Sequence, residues 1–371
     1  MRLKEGEIRI PSGCAIAGIL NRNGRRFSGK DIITCIKKMH QRSNGLGGGF
    51  AAYGIYPELK DYYALHIYFD NERAKLACEA IVKENLKVRL QEPIPVRQCP
   101  TILEAPIIWR YFTQPREEKV LAEQISEEEF MVKLVMSINA FVNGAYVVSS
   151  GKNMGVFKGV GYPEDIGEFF KLEDYQAYLW SAHGRFPTNT PGWWGGAHPF
   201  ALLDLAVVHN GEISSYCTNR RFLEMNGYRC TLQTDTEAIT YAFDLLMRKQ
   251  KLDLQDTIDV IAAPFWETTE DKKVARYRRI YSSLLLNGPF SIIVTTRNGL
   301  VALNDRIKLR PLMAATKDEF LYVASEEAAI RAIEPNPEYI WSPGGSEPVL
   351  GLVKGKSSLF EAGTKNMAQP A

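Results

Sequence analysis

The chain has 371 residues, 45% of them apolar and 24% charged, an ordinary globular balance that excludes intrinsic disorder and supplies material for one large core or two smaller ones. Lysine and arginine total 45 against 43 acidic residues, a net charge of +2, so no bulk field recommends nucleic acid or an anionic membrane as partner. The six cysteines, at 14, 35, 78, 99, 217 and 230, form no CxxC pair, which argues for reduced thiols in the cytoplasm rather than a zinc site or a disulfide framework.

The N-terminal MRLKEGEIRIPSG lacks the apolar core of a secretion signal, and no run of about 18 apolar residues offers a membrane span. CAIAGIL (14–20) then reads as a buried strand ending near the turn residues Asn21-Arg22-Asn23-Gly24. Ile32, Ile33, Ile36 and Met39 fall at helical spacing, and a glycine-rich loop at 45–49 leads into a strand-like FAAYGIY. That loop is a turn and not a dinucleotide loop, because Phe50 stands where the last glycine belongs. Residues from about 57 to 144 have their own rhythm and read as an α/β insertion: strand YYALHIYF, a helix after Asn71, a stretch broken at Pro93, Pro95 and Pro100, and a helix opened by Ser126-Glu127-Glu128-Glu129.

AYVVSS (145–150) and MGVFKGV (154–160) read as a strand pair, followed by AYLWSAH (177–183), strand LAVVHN (205–210), a helix near 219–226 and another after Asp235. PFSIIVTT, LVALN and FLYVAS are the later strands. Gly351 to Ser357 imitates a phosphate loop but has three residues between its glycines and no helix pattern after them. Without a fixed repeat or a low-complexity linker, one elaborated α+β domain is expected, with a frayed tail from about residue 363.

Three distant patches make chemical sense together: Cys14; His183-Gly184-Arg185-Phe186-Pro187-Thr188; and His209-Asn210-Gly211-Glu212 with Thr234-Asp235-Thr236-Glu237. Singly each has a bland reading, since a cysteine opening an apolar strand is more often core than catalyst and Asn-Gly is more often just a turn. As an ordered set they resemble the class II glutamine amidotransferases. The likeness is nearest to the amidotransferase domain of glutamate synthase, through SAHGRFPTNTPGWW, HNGEI and YVVSSGKNMGVFKGVGYPEDIGEFF, and extends to Asp305-Arg306…Leu309-Arg310-Pro311-Leu312 and Ser325-Glu326.

The resemblance implies the N-terminal-nucleophile hydrolase fold, a four-layer αββα sandwich of two antiparallel sheets, spanning 14–362. It implies that Cys14 attacks the glutamine carboxamide, with its own free α-amino group as base, and that Asn210 and the Gly211 N–H stabilise the oxyanion. Arg185 is expected to fork onto the α-carboxylate, Asp235 to pair with the α-ammonium and Thr188 to brace the loop. A backbone amide is not a base, so residues 1–13 are expected to be a propeptide removed before activity.

His40 and His66 are expected to be structural, and His183 and His209 to brace loops. Trp193-Trp194 reads equally as a lid over glutamine or as loop packing. Two features depart from the pattern. Ala15 stands where glycine usually follows the nucleophile, adding a methyl group near the cleft. Ala197-His198-Pro199-Phe200 is similar to an element of sugar-phosphate amidotransferases.

The sequence has no iron–sulfur cysteine spacing and no flavin-binding barrel. The resemblance therefore implies a glutaminase subunit with no cofactor of its own, docking with separate glutamate synthase subunits that would carry the FMN and the iron–sulfur cluster. The alternatives are a subunit of a related complex such as N-methylglutamate synthase, a non-catalytic glutamine sensor in which a retained leader blocks Cys14, and an amidase for another amide, against which Arg185 and Asp235 argue.

Overall fold

The computed structural model describes residues 13–187, 192–264 and 270–359. The first strand runs Ala15–Asn21 and is buried along its whole length, because it lies inside a seven-stranded sheet. Its antiparallel neighbours are Leu179–Gly184 and Phe320–Ala324. Strand alternation sorts its side chains. Ala15, Ala17 and Ile19 enter a core shared with helices Lys30–Lys37, Pro163–Phe169 and Glu327–Arg331, whereas Ile16 and Leu20 face the other way into a second core.

That second core is the contact between two sheets. Strand Leu205–Gly211 belongs to a five-stranded antiparallel sheet, where Ala206 and Val208 meet Ile16 and Leu20 while Leu205 and Val207 turn outward onto helix Asp235–Phe243. Close approach of the sheets is helped at Gly18, where a Cβ would already touch the Ile293 side chain at 3.4 Å. The layers are therefore helix, sheet, sheet, helix, the α+β αββα sandwich with both sheets antiparallel.

A separate four-stranded antiparallel sheet is ordered Leu86–Pro93, Ile107–Pro115, Tyr63–Phe69, Ala145–Ser149. Its helices start where their capping residues stand: Asn71 accepts from the Ala74 N–H at 3.0 Å before Glu72–Asn85, and Ser126 from the Glu129 N–H at 3.1 Å before Glu127–Phe141. The segments 145–150 and 154–160, expected to pair with each other, do not. Ala145–Ser149 pairs with Tyr63–Phe69, and Met154–Gly159 with Gly48–Tyr53 in the seven-stranded sheet. The residues between them bond outward instead of closing a hairpin, with the Gly151 carbonyl accepting from Ala64 and the Lys152 N–H donating to Asp204. Gly351, in the phosphate-loop imitation, is part of strand Val349–Leu352.

Candidate active site

Cys14, Arg185, Asn210, Gly211 and Asp235 each lie at or beside the end of a strand or the start of a helix, and on the strands alternation decides where a side chain points. Cys14 precedes its strand with the parity of Ile16, so it faces the space between the sheets. Asn210 shares the parity of Ala206 and Val208 and faces the same space from the opposite sheet, fully buried. His209 turns to the helix side, where its Nδ1 lies 3.2 Å from Thr236 Oγ1 and 3.5 Å from Asp235 Oδ1.

A cavity of about 310 Å³ opens at this end, lined by Cys14, Arg185, Gly211 and Asp235 together with His198, Tyr216 and Gln233, a volume suited to a small metabolite. Asn210 does not line it but lies directly behind Gly211 in the chain. Thr188 lies outside the described residues, as does most of the leader.

The Cys14 sulfur accepts the Phe186 N–H at 3.4 Å, and Arg42 Nε donates to the Cys14 carbonyl at 2.9 Å while its other arm pairs with Glu326 at 3.0 Å. Burial pushes the thiol above its ordinary range and Asp235 pushes the same way, against the opposing pull of the Phe186 N–H, Arg185 and Arg310. A neutral thiol is a poor nucleophile, so this cysteine needs a base. With Gly13 attached, its own nitrogen is an amide and cannot supply one.

Arg185 is almost wholly buried. Its backbone is pinned on both sides, N–H to the Gly47 carbonyl at 2.8 Å and carbonyl to Ser43 Oγ at 2.9 Å. Gly47 packs closely there, since a Cβ would sit 3.0 Å from Arg185 Cδ and press that side chain to shift. Asp235 opens helix Asp235–Phe243 behind the cap Thr234, where unpaired N–H groups favour a carboxylate. One of its oxygens accepts the Ile213 N–H at 3.0 Å and the other the Thr236 hydroxyl at 3.2 Å. Burial raises its pKa, but His209 and these donors outweigh it and hold the carboxyl below its usual range. The cavity thus has a cation and an anion on its wall beside a thiol.

Gly211 adopts φ 154°, and a Cβ there would strike the Pro289 carbonyl. The demand for glycine comes from the strand behind as well as from any ligand in front. Ala15 corrects the other steric expectation. Its methyl group points into the helix-side core, away from the cavity, because it has the opposite parity to Cys14. Trp193 and Trp194 resolve as loop packing: neither lines the cavity, and they pack edge-to-face against Tyr146 and against Tyr68 and Phe169.

The family model for Glutamine amidotransferases class-II matches residues 57–340, well over half of the chain. The chain belongs to the class II glutamine amidotransferases. A putative glutamine amidotransferase of Methanothermobacter thermautotrophicus is 27% identical over 88% of this chain and 95% of its own length, and an uncharacterized Archaeoglobus fulgidus protein is 51% identical over 92% and 93%. The large chain of an NADPH glutamate synthase from Bacillus subtilis is 26% identical over 52% of this chain, which covers 14% of that much longer protein. Among solved structures, the glutamine phosphoribosylpyrophosphate amidotransferase of Bacillus subtilis matches with 13% identity and a TM-score of 0.47, over 91% of this chain and 47% of its own.

Sequence reasoning passes over Arg42 and Tyr216, names Arg310 and His198 without a part in the site, and gives His209 only a loop-bracing role. Arg42 follows a helix and has no motif around it, yet it holds the Cys14 carbonyl. Arg310 is delivered by a turn in which the Asp305 carboxylate accepts N–H groups from Phe290, Ile307 and Leu309, and its charge draws the Cys14 thiol downward. His198, Tyr216 and His209 bring to the cavity wall buried polar atoms (Nδ1, Oη and Nε2) that have no hydrogen-bond partner among the described residues. His183 braces the sheets, its Nε2 lying 2.9 Å from the His209 carbonyl. Among the described residues, no group of three or more His, Cys, Asp or Glu is arranged to hold a metal ion, and no helix is long and apolar enough to cross a membrane.

Proposed function

We propose that this chain is the glutaminase subunit of a glutamate synthase-type complex, hydrolysing glutamine at Cys14 and delivering ammonia to a separate synthase chain. The observation that carries the reading is that one cavity presents Cys14, Arg185, Gly211 and Asp235 together. A zwitterionic amino acid held between Arg185 and Asp235 turns its side chain toward the thiol. After release of residues 1–13, the α-amino group of Cys14, with an ordinary pKa of about 7.7–8.0, takes the thiol proton as sulfur attacks the carboxamide carbon. Asn210 Nδ2–H and the Gly211 N–H take up the oxyanion charge. The proton passes to the leaving nitrogen, ammonia departs and a glutamyl thioester remains. Water then attacks it, giving its proton to the same amine, and the sulfur leaves to recover a proton as glutamate is released.

Free ammonia is lost to solvent unless it is consumed nearby, which supports partner chains bearing FMN and an iron–sulfur cluster that pass it to 2-oxoglutarate. The partial match to a glutamate synthase large chain is in keeping with this. The test has two arms. Protein beginning at Cys14 is expected to release glutamate from glutamine, and to gain one covalent adduct at Cys14 from a glutamine-analogue alkylator, read by intact mass. Co-purification from cells expressing candidate synthase subunits is expected to recover them. Glutamine turnover without such partners would keep the amidotransferase and discard the synthase assignment.

A further inference from the structure

The nucleophile and the oxyanion donor sit on different sheets, Cys14 at the head of a strand in the seven-stranded sheet and Asn210 near the end of a strand in the five-stranded one. Transition-state stabilisation of an oxyanion depends on the spacing between these two groups; apolar packing has no directional force to set it, and the inter-sheet bonds of His183 to the His209 carbonyl and of Tyr53 to Thr295 do not reach the Asn210 side chain, which needs a directional tie of its own. Ser325 supplies one. It follows strand Phe320–Ala324 with the parity of Leu321 and Val323, so its side chain enters the same space between the sheets as Cys14 and Asn210, and it is 1% exposed.

Its hydroxyl oxygen accepts two N–H groups: the backbone N–H of Ile16 at 3.1 Å, two residues after Cys14, and Asn210 Nδ2–H at 3.3 Å from the opposite sheet. Its own N–H donates to the Ile16 carbonyl at 3.0 Å. Ser325 is thus bound to the nucleophile strand by two hydrogen bonds and to the oxyanion donor by a third. Since Asn210 Nδ2 has two hydrogens, the bond to Ser325 fixes the amide plane and leaves the other hydrogen for the substrate.

We propose that Ser325 is a positioning residue for amide hydrolysis, locking the Asn210 amide at a set distance from the Cys14 strand. The inference rests on the glutaminase reading. It touches no substrate, so its loss should act on kcat and leave glutamine binding alone.

The test uses full-length protein processed to Cys14. Ser325→Ala is expected to lower kcat about tenfold, with KM within about twofold, after correction for active sites by titration with a glutamine-analogue alkylator. Ser325→Thr, which keeps the hydroxyl, is expected to restore most of the rate. In an Asn210→Ala background, Ser325→Ala is expected to cost under about twofold, because its effect passes through the amide already removed. Should Ser325→Ala fail to fold, the nearly isosteric Ser325→Cys takes its place, with several-fold loss of kcat expected. Equal losses in both backgrounds, or a rise in KM at constant kcat, would overturn the proposal. Wild-type protein that neither turns over glutamine nor takes the alkylator would instead discard the glutaminase reading.

Discussion

Arg42 donates from its Nε to the carbonyl oxygen of Cys14 at 2.9 Å, while Glu326 holds its other arm at 3.0 Å. The pairing anchors the residue that immediately precedes strand Ala15–Asn21, whose sulfur accepts the Phe186 N–H. Lysine retains the charge but lacks the rigid fork that reaches both partners. Arg42→Lys is expected to lower kcat about tenfold with little change in KM for glutamine, read by steady-state glutamate release. A rise in KM alone would mean that Arg42 serves substrate binding.

Arg185 and Asp235 are expected to divide recognition of the amino-acid end between them. Arg185→Lys loses the two-pronged grip on a carboxylate, and Asp235→Asn loses the charge facing an ammonium. Each is expected to lower kcat/KM about 10- to 100-fold, mainly through KM, and simple primary amides should be affected by neither. A variant that lowers kcat for glutamine and for simple amides alike would remove that residue from substrate recognition.

On the proposed mechanism, Asn210→Ala removes a donor to the oxyanion along with its bond to Ser325. It is expected to reduce kcat about 100- to 1,000-fold with KM nearly unchanged, while alkylation of Cys14 by a small thiol reagent proceeds at the wild-type rate. Slow alkylation would show that Asn210 governs the thiol and not the oxyanion.

Much of this arrangement is legible in the chain itself, and the boundary of legibility is physical. Local patterns are readable because their partners are near in sequence: the Ser126 and Asn71 caps and the alternation through Ala15–Asn21 each involve residues a few positions apart. Pairing is not readable in that way. Ala145–Ser149 and Met154–Gly159 are sequence neighbours with the composition of a hairpin, yet each pairs with a strand far away in the chain, and the outward bonds of Gly151 and Lys152 accompany that separation. Arg42 escapes notice for the same reason, since its partners are 28 residues before it and 284 after it. The side of the strand taken by Ala15 was available from alternation alone, once Cys14 is assigned to the inter-sheet face.

The leader carries its own prediction. Because burial holds the Cys14 thiol in its neutral form, activity should appear only in protein that begins at Cys14, and its pH profile should rise with an apparent pKa near that of an α-amino group, about 7.7–8.0. Intact mass of the active fraction checks the N-terminus. Turnover by protein that retains Met1–Gly13 would require a different base.

Acid sensitivity of the fold should come from buried neutral histidines. His66 is fully buried: its Nδ1 lies 3.0 Å from the Val156 carbonyl, which can only accept, so Nδ1 carries the hydrogen and Nε2 accepts from the Tyr56 hydroxyl at 2.9 Å. Burial, aided by Arg110 and opposed by the Val156 carbonyl, lowers its pKa to about 3. In the unfolded chain the value returns to about 6.5. Between these limits the unfolded state binds more protons, so stability is complete above about pH 6.5 and is lost as pH falls toward 3, at about 1.4 kcal/mol per pH unit for this one group. A glutamine side chain supplies one donor and one acceptor without titrating in this range. His66→Gln is therefore expected to flatten the dependence by about that slope, measured by urea unfolding between about pH 4 and 6. Parallel curves for the two proteins would mean that His66 is already protonated, or already exposed, in the folded state.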